Sequence, residues 1–192
     1  MNICIYGASS NRIDDSFMNK TEQLGEKLAE RGHALIFGGG SNGLMGAAAR
    51  GFYKKGGKIF GIAPSFFNVD GVLFENCDEF SYPDTMRHRK AEMEEKSDAF
   101  IVTPGGVGTL DEFFEILTLK QLGLHAKPIA IFNINGYFDA LINLFQNCIE
   151  NGFMDDRTTA LCPVFDDQDK LIDYIENYKG EAKLCKYIAG EK

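Results

Sequence analysis

The chain of 192 residues is 44% hydrophobic and 25% charged, the composition of a folded globular protein and not of a disordered one. Its 20 Lys+Arg against 28 Asp+Glu give a formal charge of −8, which argues against a general polyanion binder and leaves room for a small anion at a local basic site. Cys4, Cys77, Cys148, Cys162 and Cys185 are odd in number and scattered, and His33, His88 and His125 are equally dispersed. No zinc spacing or disulfide framework emerges, so no metal and a reducing compartment are expected.

The N-terminus runs into an apolar strand over 3–7 with no charged leader or cleavage site. No apolar run reaches the length of a membrane span, so a cytoplasmic protein without a membrane partner is expected. Further strands are predicted over 34–37, 58–63, 99–103 and 128–132, each rich in Ile, Val or Phe and ending near Gly, Pro, Ser or Asn. Helical spacing is clearest over 137–149, where Phe138, Leu141, Ile142, Phe145, Cys148 and Ile149 share a face. A second helix carries Leu110, Phe113, Phe114 and Leu117, and a third covers 86–93. This alternation predicts a single-domain α/β protein over 1–180, a Rossmann-like doubly wound parallel sheet with helices on both faces. Residues 181–192 read as a C-terminal tail. Ligands of such sheets bind at the carboxyl ends of the strands, near a topological switch point.

Two glycine-rich loops follow predicted strands and open predicted helices. Gly38-Gly39-Gly40-Ser41-Asn42-Gly43-Leu44-Met45-Gly46 follows the second, and Pro104-Gly105-Gly106-Val107-Gly108-Thr109 follows the strand over 99–103; together they hold eight of the 21 glycines. Glycine lets backbone N–H groups approach a phosphate, and a helix N-terminus favours negative charge. The same residues also serve plain tight turns, so both readings stay open for each loop. Gly38, Gly40 and Gly43 match the dinucleotide fingerprint, but no acid closes the next strand at Ala63-Pro64, which argues against NAD. No GxxxxGK[ST] occurs, which argues against a Walker-type ATPase.

In the helix over 86–93, Met86, Arg89, Lys90 and Met93 stand at i, i+3, i+4 and i+7, so Arg89 and Lys90 point inward with the methionines while Arg87 lies elsewhere. Inward cations need carboxylates or an anionic ligand. The bland alternative is a solvated helix with pairs such as His88–Glu92. Thr109 and Glu112 have the spacing of a capping box, and from spacing alone that cap is the expected role of Glu112. A phosphate at the preceding loop would instead leave Glu112 one turn from an anion, available for chemistry.

With PGGxGTxxE over 104–112, MxxRK over 86–90 and GGGSNGLMG over 38–46, the sequence resembles the Lonely Guy (LOG) family of cytokinin riboside 5′-monophosphate phosphoribohydrolases. The resemblance spans about residues 1 to 151 and includes Thr118 and Gln121-Leu122-Gly123. Members are often labelled lysine decarboxylase-like, a label the family's activity does not support. The resemblance implies hydrolysis of the N-glycosidic bond of a nucleoside 5′-monophosphate, AMP or an N6-modified AMP, to free base and ribose 5-phosphate. It implies Arg89 and Glu112 as catalytic residues and Gly105, Gly106, Val107, Gly108 and Thr109 as the phosphate loop. Ser9, Gly39, Gly40, Met86, Lys90 and Thr118 complete the implied substrate-binding set. No metal or organic cofactor is implied, and a homodimer is.

Glycosidic cleavage passes through an oxocarbenium-like state that a carboxylate stabilises. Glu112 is assigned that role, with Arg89 orienting it and polarising the substrate. Alanine at either position is expected to abolish base release with the fold intact. Three departures bear on base preference rather than on reaction type: Arg87 stands where the family often has His, Asp111 replaces the first acid of a Glu-Glu pair, and 65–70 lacks an acid that some members carry. The alternative is a non-catalytic nucleotide or molybdenum-cofactor carrier on the same fold, which needs the loops but not Arg89 and Glu112 together. A lysine decarboxylase would need pyridoxal phosphate, and no Schiff-base lysine is specified.

Overall fold

The computed structural model describes residues 1–180; the tail expected over 181–192 lies outside the described residues. Strands β1 (Asn2–Tyr6), β2 (Ala34–Phe37), β3 (Ile59–Ile62), β4 (Glu79–Ser81), β5 (Ala99–Val102), β6 (Ile129–Phe132) and β7 (Val164–Phe165) form one sheet in the order β4-β3-β2-β1-β5-β6-β7. Every pairing is parallel, with Cys4 of β1 opposite Ile36 of β2 and Phe100 of β5. The accompanying helices are α1 (Asp15–Glu30), α2 (Gly43–Lys54), α3 (Met86–Lys96), α4 (Val107–Gln121), α5 (Asp139–Glu150) and α6 (Gln168–Asn177).

Side chains alternate across each strand, and both faces of the sheet are covered. Ile3 and Ile5 of β1 pack with Leu24 and Leu28 of α1, Phe52 of α2 and Leu171 and Ile175 of α6. Cys4 and Tyr6 point the other way, among Met93 of α3, Phe113 and Leu117 of α4 and Phe145 of α5. A fully buried Leu, Ile or Phe contributes about 1.5–3 kcal/mol over its exposed state, so these two layers carry the fold.

The expected strands and the doubly wound class are observed, with strand ends shifted by a residue at most. The two edge strands β4 and β7 were not expected. At three and two residues they are too short for an alternating pattern. The helix expected over 137–149 begins at Asp139, because Asn135 (φ 54) and Gly136 (φ 72) form a left-handed turn before it. Only Phe138 and Phe145 of its expected apolar face are fully buried.

The strand order reverses between β1 and β5. The crevice outside their carboxyl ends is where doubly wound sheets bind ligands, and the loops after β1, β2 and β5 meet there.

Candidate active site

A cavity of about 610 Å³ occupies that crevice, within the usual range for small-molecule sites. The loop after β1 contributes Ser9 and Ser10, the loop after β2 contributes Gly38, Gly40 and Asn42, and the start of α4 contributes Gly106, Val107, Gly108, Thr109 and Glu112. Arg89 and Met86 enter from α3, and Met45, Phe67 and Val72 form an apolar wall.

The two glycine loops differ in what their backbone does. At α2, Gly43 N–H donates to Asn11 Oδ1 at 3.0 Å, Leu44 and Met45 N–H to the Ala8 carbonyl at 2.8 and 3.3 Å, and Gly46 N–H to the Asn42 carbonyl at 3.0 Å. Three of the four N-terminal donors of this helix, those of Gly43, Leu44 and Met45, are therefore spent within the chain, and the Gly46 bond is the first of the helix itself. Its glycines are demanded by the chain as well: a Cβ on Gly38 would overlap the Arg89 guanidinium, and Gly43 has φ +61 against the Ala8 carbonyl.

At α4 the situation reverses. Gly106 is the N-cap, and the first backbone bond is Leu110 N–H to the Gly106 carbonyl at 3.0 Å. Among the described residues no hydrogen bond engages the N–H of Gly106, Val107, Gly108 or Thr109. Among the described residues, a Cβ on Gly106 or Gly108 would meet nothing within 4 Å beyond its immediate neighbours, and neither glycine has a positive φ. Four free donors at the positive end of a helix form a ready anion cradle, and open space above glycine is what close approach of a ligand needs.

Arg89, 6% exposed, is fixed by two bonds: Nε donates to the Ile62 carbonyl at 3.1 Å and Nη1 to Glu112 Oε1 at 2.6 Å. Thr85 caps α3 by accepting from His88 N–H, and Met93, buried one turn beyond Arg89, anchors the same face. The inward reading of this face holds for Arg89 and Met93, while Lys90 sits at its edge, paired with Asp111 at 2.9 Å and Glu115 at 2.5 Å. Arg87 is exposed. The inward cations thus find protein carboxylates, and the anion cradle is made of N–H groups instead.

The capping-box expectation for Glu112 is overturned. The helix starts before Thr109, so Glu112 lies in the second turn and turns to Arg89, leaving the Thr109 N–H unbonded. Burial raises the Glu112 proton affinity above that of an ordinary glutamate, and the Arg89 charge opposes the rise. Oε1 is held by Arg89, and among the described residues no hydrogen bond engages Oε2. Because the pair is 7% and 11% exposed, alanine at Glu112 would strand a buried guanidinium that cannot lose its proton. An intact fold is therefore not expected of that variant.

Of the remaining sequence candidates, Ser9, Gly40, Met86, Val107 and Thr109 line the cavity. Gly39 instead backs onto the Phe80 ring, and Gly105 onto the Thr109 side chain. Lys90 is turned to its two acids, and Thr118 is on the exposed side of α4. Sequence reasoning did not pick out Asn11, Met45, Phe67 or Val72, nor Tyr137, whose hydroxyl donates to the Gly105 carbonyl at 2.7 Å. The adjacent aromatics Phe66-Phe67 after Pro64 were the available signal for the apolar wall. Among the described residues no group of three or more His, Cys, Asp or Glu is placed to hold a metal, and no lysine lines the cavity. Buried Lys120, pushed down to about 8 by desolvation, donates to the Leu161 carbonyl, away from the cavity.

A switch-point crevice with a helix-end anion cradle and a buried carboxylate–guanidinium pair defines a Rossmann-like protein that binds a phosphorylated small molecule. Comparison narrows the class. The family described as "Possible lysine decarboxylase" matches residues 45–175. The chain is 34% identical over 175 residues to a probable cytokinin riboside 5′-monophosphate phosphoribohydrolase of Oryza sativa subsp. japonica, covering 91% of this chain and 83% of that protein. It is 34% identical over 179 residues to a cytokinin riboside 5′-monophosphate phosphoribohydrolase of Arabidopsis thaliana, covering 93% and 82%. The molybdenum cofactor binding protein of Rippkaea orientalis superposes with a TM-score of 0.70 at 22% identity over 91% of this chain and 94% of that one, a likeness of fold. The protein belongs to the Lonely Guy family of phosphoribohydrolases.

Proposed function

We propose that this protein hydrolyses the N-glycosidic bond of a nucleoside 5′-monophosphate, releasing the free base and ribose 5-phosphate. The observation that carries the reading is the set of unbonded N–H groups at the start of α4 with Glu112 beyond them on the same helix. Gly108 and Glu112 are four residues apart, about 6 Å along the helix axis and on one face, a spacing that one sugar ring bridges. The 5′-phosphate sits in the cradle, the ribose over Glu112, and the base against Met45, Phe67, Val72 and Met86.

As the bond from the anomeric carbon to the base nitrogen breaks, its electron pair leaves with the base, which takes up a proton from solvent water. The ring gains positive charge, stabilised by the Glu112 carboxylate. Water adds to the anomeric carbon from the side of Glu112 and gives up its proton there. Arg89 holds Oε1, so Oε2 is the oxygen left for this work. Phosphate binding away from the reacting bond fixes the sugar in register, which lowers the barrier. A carrier protein would need the cradle alone and has no use for a buried acid held by an arginine.

The protein acts as a homodimer in the cytoplasm. Exposed apolar side chains on neighbouring helices, Val107 and Phe114 of α4 with Ile142 and Leu144 of α5, support the dimer, and free cysteines support the reducing compartment. The test is incubation with a panel of nucleoside monophosphates and their nucleosides, followed by chromatography for free base. Release from the monophosphates and not from the nucleosides is expected. No release from any member of the panel would restore the carrier reading.

A further inference from the structure

We infer that Tyr137 is a positioning residue for the phosphate cradle: its hydroxyl sets the orientation of the Gly105–Gly106 peptide and thereby aims the Gly106 N–H. The inference rests on reading the start of α4 as the phosphate site.

The Tyr137 hydroxyl donates to the Gly105 carbonyl at 2.7 Å. That peptide is trans, as every peptide bond described here is, and a trans peptide directs its C=O and its N–H to opposite sides. Holding the Gly105 oxygen toward Tyr137 therefore turns the Gly106 N–H away from it, on the side where Gly106 lines the cavity. The preceding peptide is tied in the same manner, because the Pro104 carbonyl accepts from Ala8 N–H at 3.1 Å.

The Gly105–Gly106 peptide needs such a tie. It is flanked by two glycines, and among the described residues no atom beyond the adjoining residues lies within 4 Å of where a Gly106 Cβ would be. Sterics therefore leave Gly106 free to rotate. Reversal of this peptide would present a carbonyl oxygen to the anion in place of a donor, and the Tyr137 bond is the contact that selects against it.

Tyr137 is itself held with care. The turn before it has two successive left-handed residues, Asn135 (φ 54) and Gly136 (φ 72), a conformation that persists only where neighbours enforce it. Asn135 donates to Ser16 Oγ at 2.9 Å and accepts from Lys20 Nζ at 2.8 Å, both on α1. Asn133 accepts from Phe138 N–H at 2.7 Å. Phe17 and Phe138 meet the Tyr137 ring edge-on. Tyr137 nonetheless remains 46% exposed, so it is a minor part of the core and its hydroxyl is its specific contribution.

The test is Tyr137→Phe, which keeps the ring and removes one donor. Calorimetric binding of inorganic phosphate and of ribose 5-phosphate is measured beside AMP kinetics and thermal melting. A net hydrogen bond of about 1 kcal/mol predicts a roughly fivefold weaker phosphate affinity and a matching rise in KM. The turnover number should stay close to wild type and the melting temperature should fall by no more than about 4 °C, a split that a merely structural residue would not give. Phosphate affinity equal to wild type, or a fall in turnover at constant KM, overturns the inference. A wild-type protein that cleaves AMP beside a Tyr137→Phe variant of unchanged phosphate affinity overturns this inference alone. A protein that binds phosphate with the Tyr137 dependence and cleaves no nucleotide overturns the reaction and leaves the inference standing.

Discussion

The loops over 38–46 and 104–109 both turn a strand into a helix, both are rich in glycine, and both reach the same cavity, yet their backbones face opposite ways. In the first, the donors of Gly43, Leu44 and Met45 at the α2 N-terminus are absorbed by Asn11 and Ala8, and the glycines make room for Arg89 and for the strand-end backbone. In the second, the four donors of the α4 N-terminus are unspent among the described residues, and Gly106 and Gly108 make room for none of those residues. Glycine whose missing Cβ would strike protein is there for the fold. Glycine whose missing Cβ would enter open space beside free N–H groups is there for a ligand.

The sharpest test of this contrast is at Glu112, which only the open loop brings within reach of a bound sugar. Glu112→Gln keeps an acceptor for Arg89 and removes the charge. Loss of a positioned carboxylate of this kind predicts a turnover number lower by roughly 10³-fold, about 4 kcal/mol of barrier. Phosphate affinity, set by the cradle, should stay near wild type. Turnover within tenfold of wild type would remove Glu112 from the chemistry.

The next test sets one glycine from each loop against the other. Gly43→Ala puts a Cβ at φ +61 against the Ala8 carbonyl, and the strain and overlap predict a loss of about 3 kcal/mol of stability. In a chain of this size that lowers the melting temperature by roughly 6–12 °C. Gly106→Ala should do the reverse: a melting temperature within about 2 °C of wild type, since an unstrained exposed change is worth under 0.5 kcal/mol, and phosphate affinity weakened roughly tenfold. Were both variants to lose stability equally, with phosphate binding following stability, the two loops would be alike.

The long buried strands and the pairing of strands with helices could be read from the chain because their apolar runs are continuous, as in Ala99–Val102 and Ile129–Phe132. Arg89 was legible through its spacing from Met93, which sets a shared face. The difference between the loops was not legible, because Gly43 and Gly106 are the same residue and what distinguishes them is the atom opposite. The partner of Ala8 and the ties at Asn11 depend on β1 lying beside both loops, a long-range fact. Spacing alone reads Glu112 as a cap for a local reason: Thr109 and Glu112 have the right spacing, but Gly106 had already started the helix. Tyr137 left no signal, since a tyrosine before an apolar stripe reads as the first residue of that stripe.

The smallest effect concerns the proton on Glu112. Burial raises its affinity above the ordinary value of 4.5, and the Arg89 charge works against the rise. The sign follows from linkage. A carboxyl that holds its proton more tightly in the fold than in the unfolded chain makes the ionised fold less stable at pH above its native midpoint, and that cost disappears below the unfolded midpoint. Catalysis needs the ionised form, so turnover falls as pH drops through the native midpoint, and this acid limb should lie above 4.5. Arg89→Met, neutral and able to fill the space, removes the opposing charge and should move the midpoint further up. The buried acid then stays neutral by keeping its proton, so this variant should retain its fold better than Glu112→Ala, in which a guanidinium is left without that escape. Carboxyl carbon resonances of labelled glutamate follow the titration without relying on activity. A wild-type midpoint at or below 4.5, or one unmoved in Arg89→Met, would mean that the pair does not govern the acid. A midpoint that climbs when Arg89 is lost makes the arginine the group that keeps the glutamate ionised beside the open loop, a role for which the closed loop has no acid at all.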